Sequence, residues 1–333
     1  MFLRLAPAIA ALLVALLLAA CGSGGQADAP SPGATPTTSP QGTAPPTSAK
    51  PHLRAAATLP VFADFVRELG GDNVDVFSIL PSGADPHTYE PTPSDIRRIA
   101  EADIIFVNDL QPDLEGSILD VIESNKGQDT RVIPFMANLI SPRAQELGDP
   151  EITAAQAGDN PHLWLDPLLA RAYADVIADA LASEDAGNAA LYGDNLTRYG
   201  QRLSQIDDEI AAAVQQIPPE SRKLVTPHDA FPHLARRYGL DIVGFVVPGP
   251  GQDPSPRDIA DLTRAISDQS VPAVFTEPQI GADSRLLEQI AADAGVQVCT
   301  LYSDTLTDDL PTYVDMMRFN ADELLRCLGG GSD

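Results

Sequence analysis

Positive charge is scarce in this chain of 333 residues. The sequence has 21 Lys and Arg against 47 Asp and Glu, which gives a formal net charge of −26. This balance argues against a nucleic-acid partner and against unaided adhesion to anionic lipid, because both need a basic surface. It suits a soluble exported protein that handles cations, although solubility alone would also account for it.

Cysteine is equally scarce, with three residues in the whole chain. Cys21 ends the N-terminal apolar run, which leaves Cys299 and Cys327 as an even pair. In an oxidising compartment such a pair predicts a disulfide, which would link a strand-like segment to the end of a helix-like one. The alternative is two separate buried thiols.

The N-terminus reads "MFLRLAPAIAALLVALLLAACGS". One Arg, an apolar run and then small residues predict a signal peptide over 1–20, too short and wrongly flanked for a stable membrane span. Leu18-Ala19-Ala20-Cys21 resembles a bacterial lipobox, which predicts cleavage before Cys21 and a lipid on its thiol. The alternative is an ordinary secretory signal with a chance Cys. We expect an extracytoplasmic protein that a lipid anchors to the bacterial cell membrane.

The next segment, 22–51, is dominated by small residues and proline. Gly, Ser, Thr, Ala and Pro make up 26 of its 30 residues. Such a segment buries too little apolar surface to offset its ordering entropy. Residues 21–51 are therefore interpreted as a lipidated Cys and a disordered tether.

After the tether, short β-rich runs alternate with helical patterns, which predicts an α/β fold with parallel sheets. The runs begin near residues 53, 74, 102 and 130 in the first half and near 222, 240, 271 and 296 in the second. Between them, apolar residues recur every three or four positions over 188–217, which predicts one long amphipathic helix. We expect two four-stranded lobes, 52–187 and 218–333, joined by this helix and separated by a cleft.

The five histidines are few, and three of them share a position in the predicted fold. His87 follows an apolar run and precedes the helix start Thr92-Pro93, His162 precedes another helix start, and His228 ends a strand before a helix that Asp229 is placed to cap. Asp304 directly follows the last strand. Such positions lie at the ligand-binding rim of open α/β sheets. Three imidazoles and a carboxylate complete a tetrahedral shell for Zn²⁺.

Spacing alone does not identify a metal motif. The four residues are separated by 75, 66 and 76 positions, unlike local motifs such as His-Glu-x-x-His or Cys-x-x-Cys. Each histidine taken singly is more often a hydrogen-bonding loop residue than a ligand. The residues themselves therefore predict a metal site between lobes and no particular protein.

A resemblance carries the interpretation further. Five stretches resemble characteristic sequences of the cluster A-I solute-binding proteins, the metal-binding lipoproteins of bacterial ABC importers. They are "GADPHTYEPTPSD", "NPHLWLDP", "HDAFPHLARRYGL", "FTEPQ" and "LYSDTL". The resemblance covers about His52 to Cys327. It implies two α/β lobes on a rigid helix, one Zn²⁺ or Mn²⁺ per chain, and delivery to an ABC permease by a monomer. By motif match, the ligands fall on His87, His162, His228 and Asp304.

Two further residues near these motifs need a role. Glu277, in "FTEPQ", either replaces Asp304 as fourth ligand or orients an imidazole from behind, and we favour orientation. His233 lies one predicted helical turn beyond His228, which favours packing or surface over ligation. The segment 109–161 contains no histidine, unlike the His-rich loop that zinc-specific relatives often carry.

Zinc is the expected cargo because imidazole suits Zn²⁺, whereas Mn²⁺ prefers oxygen donors. The alternatives are an Mn²⁺ importer protein, a surface adhesin with a structural metal, and a lipid-tethered zinc hydrolase. A catalytic zinc keeps one position open for water. Four protein ligands would close that position, so we expect no enzyme.

Overall fold

The computed structural model describes residues 52–108, 112–139, 160–247 and 252–330. The predicted signal peptide, the lipidation site Cys21 and the tether lie outside these residues. Within the described ranges, no helix combines the length and apolar character needed to cross a membrane.

A parallel sheet of four strands forms the first half, as predicted. Its strands are β1 (Leu53–Ala57), β2 (Val74–Ser78), β3 (Ile104–Val107) and β4 (Arg131–Pro134), in the order β2-β1-β3-β4. Helices α1 (Pro60–Gly70), α2 (Pro93–Ala100), α3 (Pro112–Asn125) and α4 (Phe135–Leu139) belong to the same half. Side chains of a strand alternate between faces. Ala55 and Phe106 accordingly join one apolar core, while Ala56 and Ile105 join a second core on the other face.

Local sequence explains where two helices begin. Thr92 caps α2 through a capping box with Asp95, and Pro93 takes the first helical position. Asp166 caps α5 (Pro167–Glu184) by accepting from the backbone N–H of Leu168. Both starts were predicted, and each immediately follows a loop that carries a histidine.

The predicted long helix is α6 (Ala189–Gln215), of 27 residues, or about 40 Å. Seven of the eight apolar positions that define its predicted face are buried, and Leu196 is partly buried. Helix α6 packs against α5 on one side and against α10 (Tyr313–Leu328) on the other. It is thereby in contact with elements from both halves of the chain.

The second half contains the four predicted strands, but they pair differently. Strands β5 (Lys223–His228) and β6 (Asp241–Val247) form one parallel pair, and β7 (Ala273–Thr276) and β8 (Gln297–Thr300) form another. Strands β5 and β7 lie side by side without a regular ladder between them. Part of the reason lies in β5, where Pro227 has no amide hydrogen to donate to a neighbouring strand.

Three helices connect these strands: α7 (Pro232–Tyr238), α8 (Pro256–Asp268) and α9 (Gly281–Ala294). The prediction that Asp229 caps α7 is wrong. Phe231 holds the N-cap position, because Pro232 fixes the first helical residue three positions after Asp229. Gly239 ends α7 in the left-handed conformation, as expected for a glycine there.

The apolar cores of the two halves are continuous. One cluster of buried residues includes β1 and β3 from the first half and β5, β7 and α10 from the second. An aromatic pair crosses this boundary, since Phe65 of α1 packs edge-on against Tyr313 of α10 with centroids 5.0 Å apart, next to the Phe62–Trp164 pair of the first half. The buried aromatic and aliphatic surface therefore holds both halves to the same central helices.

A disulfide joins Cys299 of β8 to Cys327 of α10, as predicted from the cysteine pairing. It closes a sequence separation of 28 residues. The segment that follows β8 leads directly to Asp304, so the disulfide fixes the strand that delivers this residue.

Candidate metal centre

The four residues that the sequence predicted as ligands come together in the structure. His87, His162, His228 and Asp304 each offer one ligand atom, and these atoms all lie within 4.8 Å of one another. The imidazole centroids are 5.2 to 6.0 Å apart. Asp304 and His228 are fully buried, His162 is nearly so, and His87 is half-buried.

The His87 loop is held in shape by its own side chains. The Asp85 carboxylate accepts hydrogen bonds from the backbone N–H of His87 at 3.0 Å and from the hydroxyl of Thr88 at 2.8 Å. Such an Asx turn fixes the backbone around the following residues. At the start of the same loop, the N–H of Gly83 donates to the Thr305 hydroxyl at 2.7 Å, which links the loop to the neighbour of Asp304.

His162 lies at the start of a 3-10 turn, Leu163–Leu165. Its Nδ1 is 2.9 Å from Oδ1 of Asn160, and its Nε2 is 3.5 Å from Oδ1 of Asp304. Burial holds the pKa of His162 well below its usual value, and the neighbouring imidazoles of His228 and His87 act in the same direction. The ring is therefore neutral at physiological pH, which is the form that binds metals.

His228 is oriented by Glu277. Its Nδ1 donates to Oε1 of Glu277 at 2.9 Å, while its Nε2 points toward Oδ2 of Asp304 at 3.9 Å. Burial alone would lower the pKa of His228, but the charge and hydrogen bond of Glu277 outweigh it and raise that pKa to about 9. The carboxylate stabilises positive charge on the imidazole, whether a proton or a metal ion supplies it.

Glu277 is itself fixed from behind. Its backbone N–H donates to the Ser284 hydroxyl at 3.0 Å, and its Oε2 accepts from the Ser303 hydroxyl. The Gln279 amide donates to Ser303 at 2.9 Å and to Glu277 at 3.3 Å. Glu277 lies outside the group of four whose ligand atoms are mutually close. Its geometry is that of a carboxylate behind a ligating histidine.

Asp304 is the most unusual carboxylate of the centre. It is fully buried, and neither of its oxygens accepts a well-formed hydrogen bond from the described residues. Burial raises its pKa to about 7, opposed by the nearby His228 and reinforced by the negative charge of Glu277. A buried, unsatisfied carboxylate is costly unless a cation compensates it. Together with three imidazoles, it fits a divalent cation.

His233 lies apart from the group of four. It is buried, and its Nε2 is 3.1 Å from the backbone carbonyl oxygen of Asn160. It packs, as predicted, rather than joining the cluster. No sequence motif indicated a role for Asn160, Ser303 or Gln279, although Asn160 contacts His162, and Ser303 and Gln279 contact Glu277. The only signal for Asn160 was its place two residues before His162 in "NPH".

The arrangement defines a class of protein. Two α/β halves share a long helix and bring together, from four separate segments of the chain, four side chains that could hold a metal ion. A family of periplasmic proteins described as component A of the zinc-uptake complex, ZnuA, matches residues 56–327. The chain belongs to this family, and is therefore a substrate-binding protein of a metal ABC transporter and not an enzyme.

Individual relatives agree with this assignment. The manganese-binding lipoprotein MntA of Halalkalibacterium halodurans is 29% identical over 81% of this chain and 86% of its own length. The metal ABC transporter substrate-binding lipoprotein FimA of Streptococcus parasanguinis is 28% identical over 82% and 88%. The periplasmic zinc-binding protein TroA of Treponema pallidum superposes with a TM-score of 0.72 and 26% identity, covering 84% of this chain and 99% of TroA.

Proposed function

We propose that the protein captures one Zn²⁺ with His87, His162, His228 and Asp304 and delivers it to the permease of an ABC importer. The proposal is carried by the donor set: three imidazole nitrogens and one buried carboxylate oxygen within 4.8 Å of one another. Four such donors complete the tetrahedral shell that Zn²⁺ adopts in closed protein sites. Glu277 then supports His228 from outside this shell.

Manganese is the second candidate cargo, because MntA is named as manganese-binding and TroA as zinc-binding. Ligand chemistry favours zinc. Mn²⁺ prefers oxygen donors and higher coordination, whereas a site with three imidazoles suits Zn²⁺, which also stands above Mn²⁺ in intrinsic affinity. His228 is the decisive residue in this argument, since a carboxylate in its place would supply two nitrogen and two acidic ligands.

We also propose that the protein works outside the cytoplasm, anchored through lipid on Cys21. The relatives MntA and FimA are named as lipoproteins. The support within this chain is the lipobox-like Leu18–Cys21 and the small-residue segment that follows it. The composition of residues 22–51 predicts a random coil, for which a span on the order of 30 Å is expected. We propose that this reach lets the two halves meet the permease.

Competitive loading tests the choice of metal. Purified native protein should bind one Zn²⁺ per chain and retain it against a large excess of Mn²⁺, as measured by elemental analysis. His228→Glu should narrow the preference by adding an oxygen donor. His52→Glu is the matched control, because His52 is exposed and outside the centre. Equal or tighter Mn²⁺ binding by the native protein would overturn the zinc assignment.

A further inference from the structure

One asparagine connects the two histidine loops that come from opposite halves of the chain. The side-chain oxygen of Asn160 lies 3.1 Å from the backbone N of His162 and 2.9 Å from its ring Nδ1. The side-chain nitrogen of Asn160 donates to the backbone carbonyl of Asp229 at 2.5 Å. Asp229 directly follows His228. A single amide group therefore contacts both the His162 loop and the His228 loop.

The orientation of this amide is fixed by its partners. If the amide were reversed, its NH₂ group would face the N–H of His162 and its oxygen would face the Asp229 carbonyl. Both contacts would then be repulsive, a donor against a donor and an acceptor against an acceptor. The observed orientation satisfies both. Oδ1 of Asn160 is therefore an acceptor, and the nitrogen it meets on the His162 ring must carry a hydrogen.

This contact selects a tautomer of His162. A neutral imidazole has one N–H, and Asn160 draws it to Nδ1. The unprotonated nitrogen is then Nε2, which lies 3.5 Å from Oδ1 of Asp304 and 3.4 Å from Nε2 of His228. Nε2 is thus the ring nitrogen presented to the centre with its lone pair available.

The backbone of Asn160 is held from the second half as well. His233, on α7, is buried, and its Nε2 lies 3.1 Å from the Asn160 carbonyl oxygen. Because a carbonyl only accepts, that ring nitrogen is the donor. Asn160 is consequently held at its main chain by His233 while its side chain bonds Asp229. Both contacts cross from the first half of the sequence to the second.

We propose that Asn160 is a positioning residue of the metal centre: it holds His162 in the tautomer that presents Nε2 and ties that ligand loop to the loop of His228. The proposal rests on the assignment of His162 and His228 as ligands. It predicts that Asn160 controls how long the ion is retained, although its side chain does not touch the ion. Residues that orient a ligating histidine commonly change metal affinity 10- to 100-fold when removed.

The tautomer is measured first, on metal-free protein. Long-range ¹H–¹⁵N NMR distinguishes the two ring nitrogens, and the His162 signals are assigned by their loss in His162→Gln. Native protein should show His162 with hydrogen on Nδ1. Asn160→Ala should show a mixture that includes the Nε2–H form. Asn160→Asp should keep the Nδ1–H form, because one carboxylate oxygen still accepts from Nδ1, although the other loses the bond to the Asp229 carbonyl. Native protein with hydrogen on Nε2 overturns the proposal.

Retention is measured second, as the rate at which a chelator removes Zn²⁺. Asn160→Ala should lose the ion about 10-fold faster or more. Asn138→Ala is the matched control, because Asn138 is exposed on α4 and, among the described residues, donates to the carbonyl of Pro134 in the same region. A rate for Asn160→Ala within twofold of this control overturns the proposal. If Asn160→Ala does not fold, the native and Asn160→Asp spectra still decide the tautomer.

The two experiments also separate this proposal from the assignment of the ligands. If native protein bound no Zn²⁺ yet showed the Nδ1–H tautomer, the ligand assignment would fail while the contact of Asn160 stood. If native protein bound one Zn²⁺ and Asn160→Ala changed neither tautomer nor rate, only the role of Asn160 would fail.

Discussion

Replacing Glu277 with glutamine should change the pH dependence of zinc binding more than the strength of binding at neutral pH. Glu277 and His228 are fully buried and 2.9 Å apart, and the carboxylate raises the pKa of His228 to about 9. At pH 7 the metal-free imidazole is therefore protonated in all but about one molecule in a hundred. Zn²⁺ must displace this proton to bind, because only the neutral ring is a ligand.

The direction of the pH dependence follows from the raised pKa of His228. As pH rises from 7 to 9, the proton on His228 is lost, so native affinity should climb by about 10-fold per pH unit from this group alone. Glu277→Gln removes the charge that raises the pKa of His228, and burial then lowers it. The variant should lose this part of the pH dependence and keep only the rise in affinity that comes from ionisation of Asp304. Above pH 9 the imidazole of His228 is unprotonated in both proteins. The affinity of the native protein for Zn²⁺ should then exceed that of the variant by about 10- to 100-fold.

At pH 7 the substitution has two opposing effects on zinc affinity. It removes the proton that Zn²⁺ must displace from His228, which strengthens binding, and it removes the carboxylate that supports His228 as a ligand, which weakens binding. The affinities of the two proteins at this pH should lie within about 10-fold of each other. Chelator-buffered zinc titrations at pH 7, 8 and 9 measure all three points. Glu288→Gln, the same substitution at an exposed position of α9, is the control. Parallel pH profiles for native protein and Glu277→Gln would refute the reasoning.

Three further predictions concern stability and organisation. Burial raises the pKa of Asp64 to about 7, above its value in the unfolded chain, so the folded protein loses stability as pH rises toward 7 and Asp64 ionises. The variant Asp64→Asn cannot ionise and still accepts from the N–H of Tyr313. It should therefore raise Tm more at pH 8 than at pH 5. Cys327→Ser should lower Tm by several degrees, since closing the 28-residue loop contributes about 3–4 kcal/mol to the free energy of unfolding. The zinc stoichiometry should stay unchanged. An unchanged Tm, or two free thiols in the denatured native protein, would contradict this prediction. A truncated chain starting at His52 should fold as a monomer and bind one Zn²⁺, and gel filtration with elemental analysis checks this.

The strands and ligand loops were predictable because their signals are local. Each of the eight strands is a short β-rich run bounded by polar or proline-containing segments. The loop of His87 was visible from Thr92-Pro93, and that of His162 from Asp166-Pro167, since a capping residue followed by proline defines a helix start. Polar residues just before such starts lie at one rim of the sheet, which is why they converge.

The features that escaped prediction depend on contacts between distant residues. Asp229 is of a residue type that commonly caps helices. Its backbone carbonyl instead accepts from Asn160, and α7 begins later, at Pro232. The pairing of strands in the second half depends on how β5 and β7 approach, which no periodicity encodes. The contacts of Asn160 join residues 69 positions apart. Sequence patterns point to the proposed ligands, whereas tertiary packing decides what orients them.

The four proposed ligands lie on four widely separated segments of the chain, and this has a consequence for how the protein becomes loaded. No stretch of fewer than 60 residues contains two of them, so no short segment of the unfolded chain carries two of the proposed ligands. Parallel strands that pair across long separations form late, because loop closure must precede their contacts. A chain that has not yet folded therefore lacks the proposed four-ligand site. On this ligand set, the site can first be filled only by an ion that is present where folding ends.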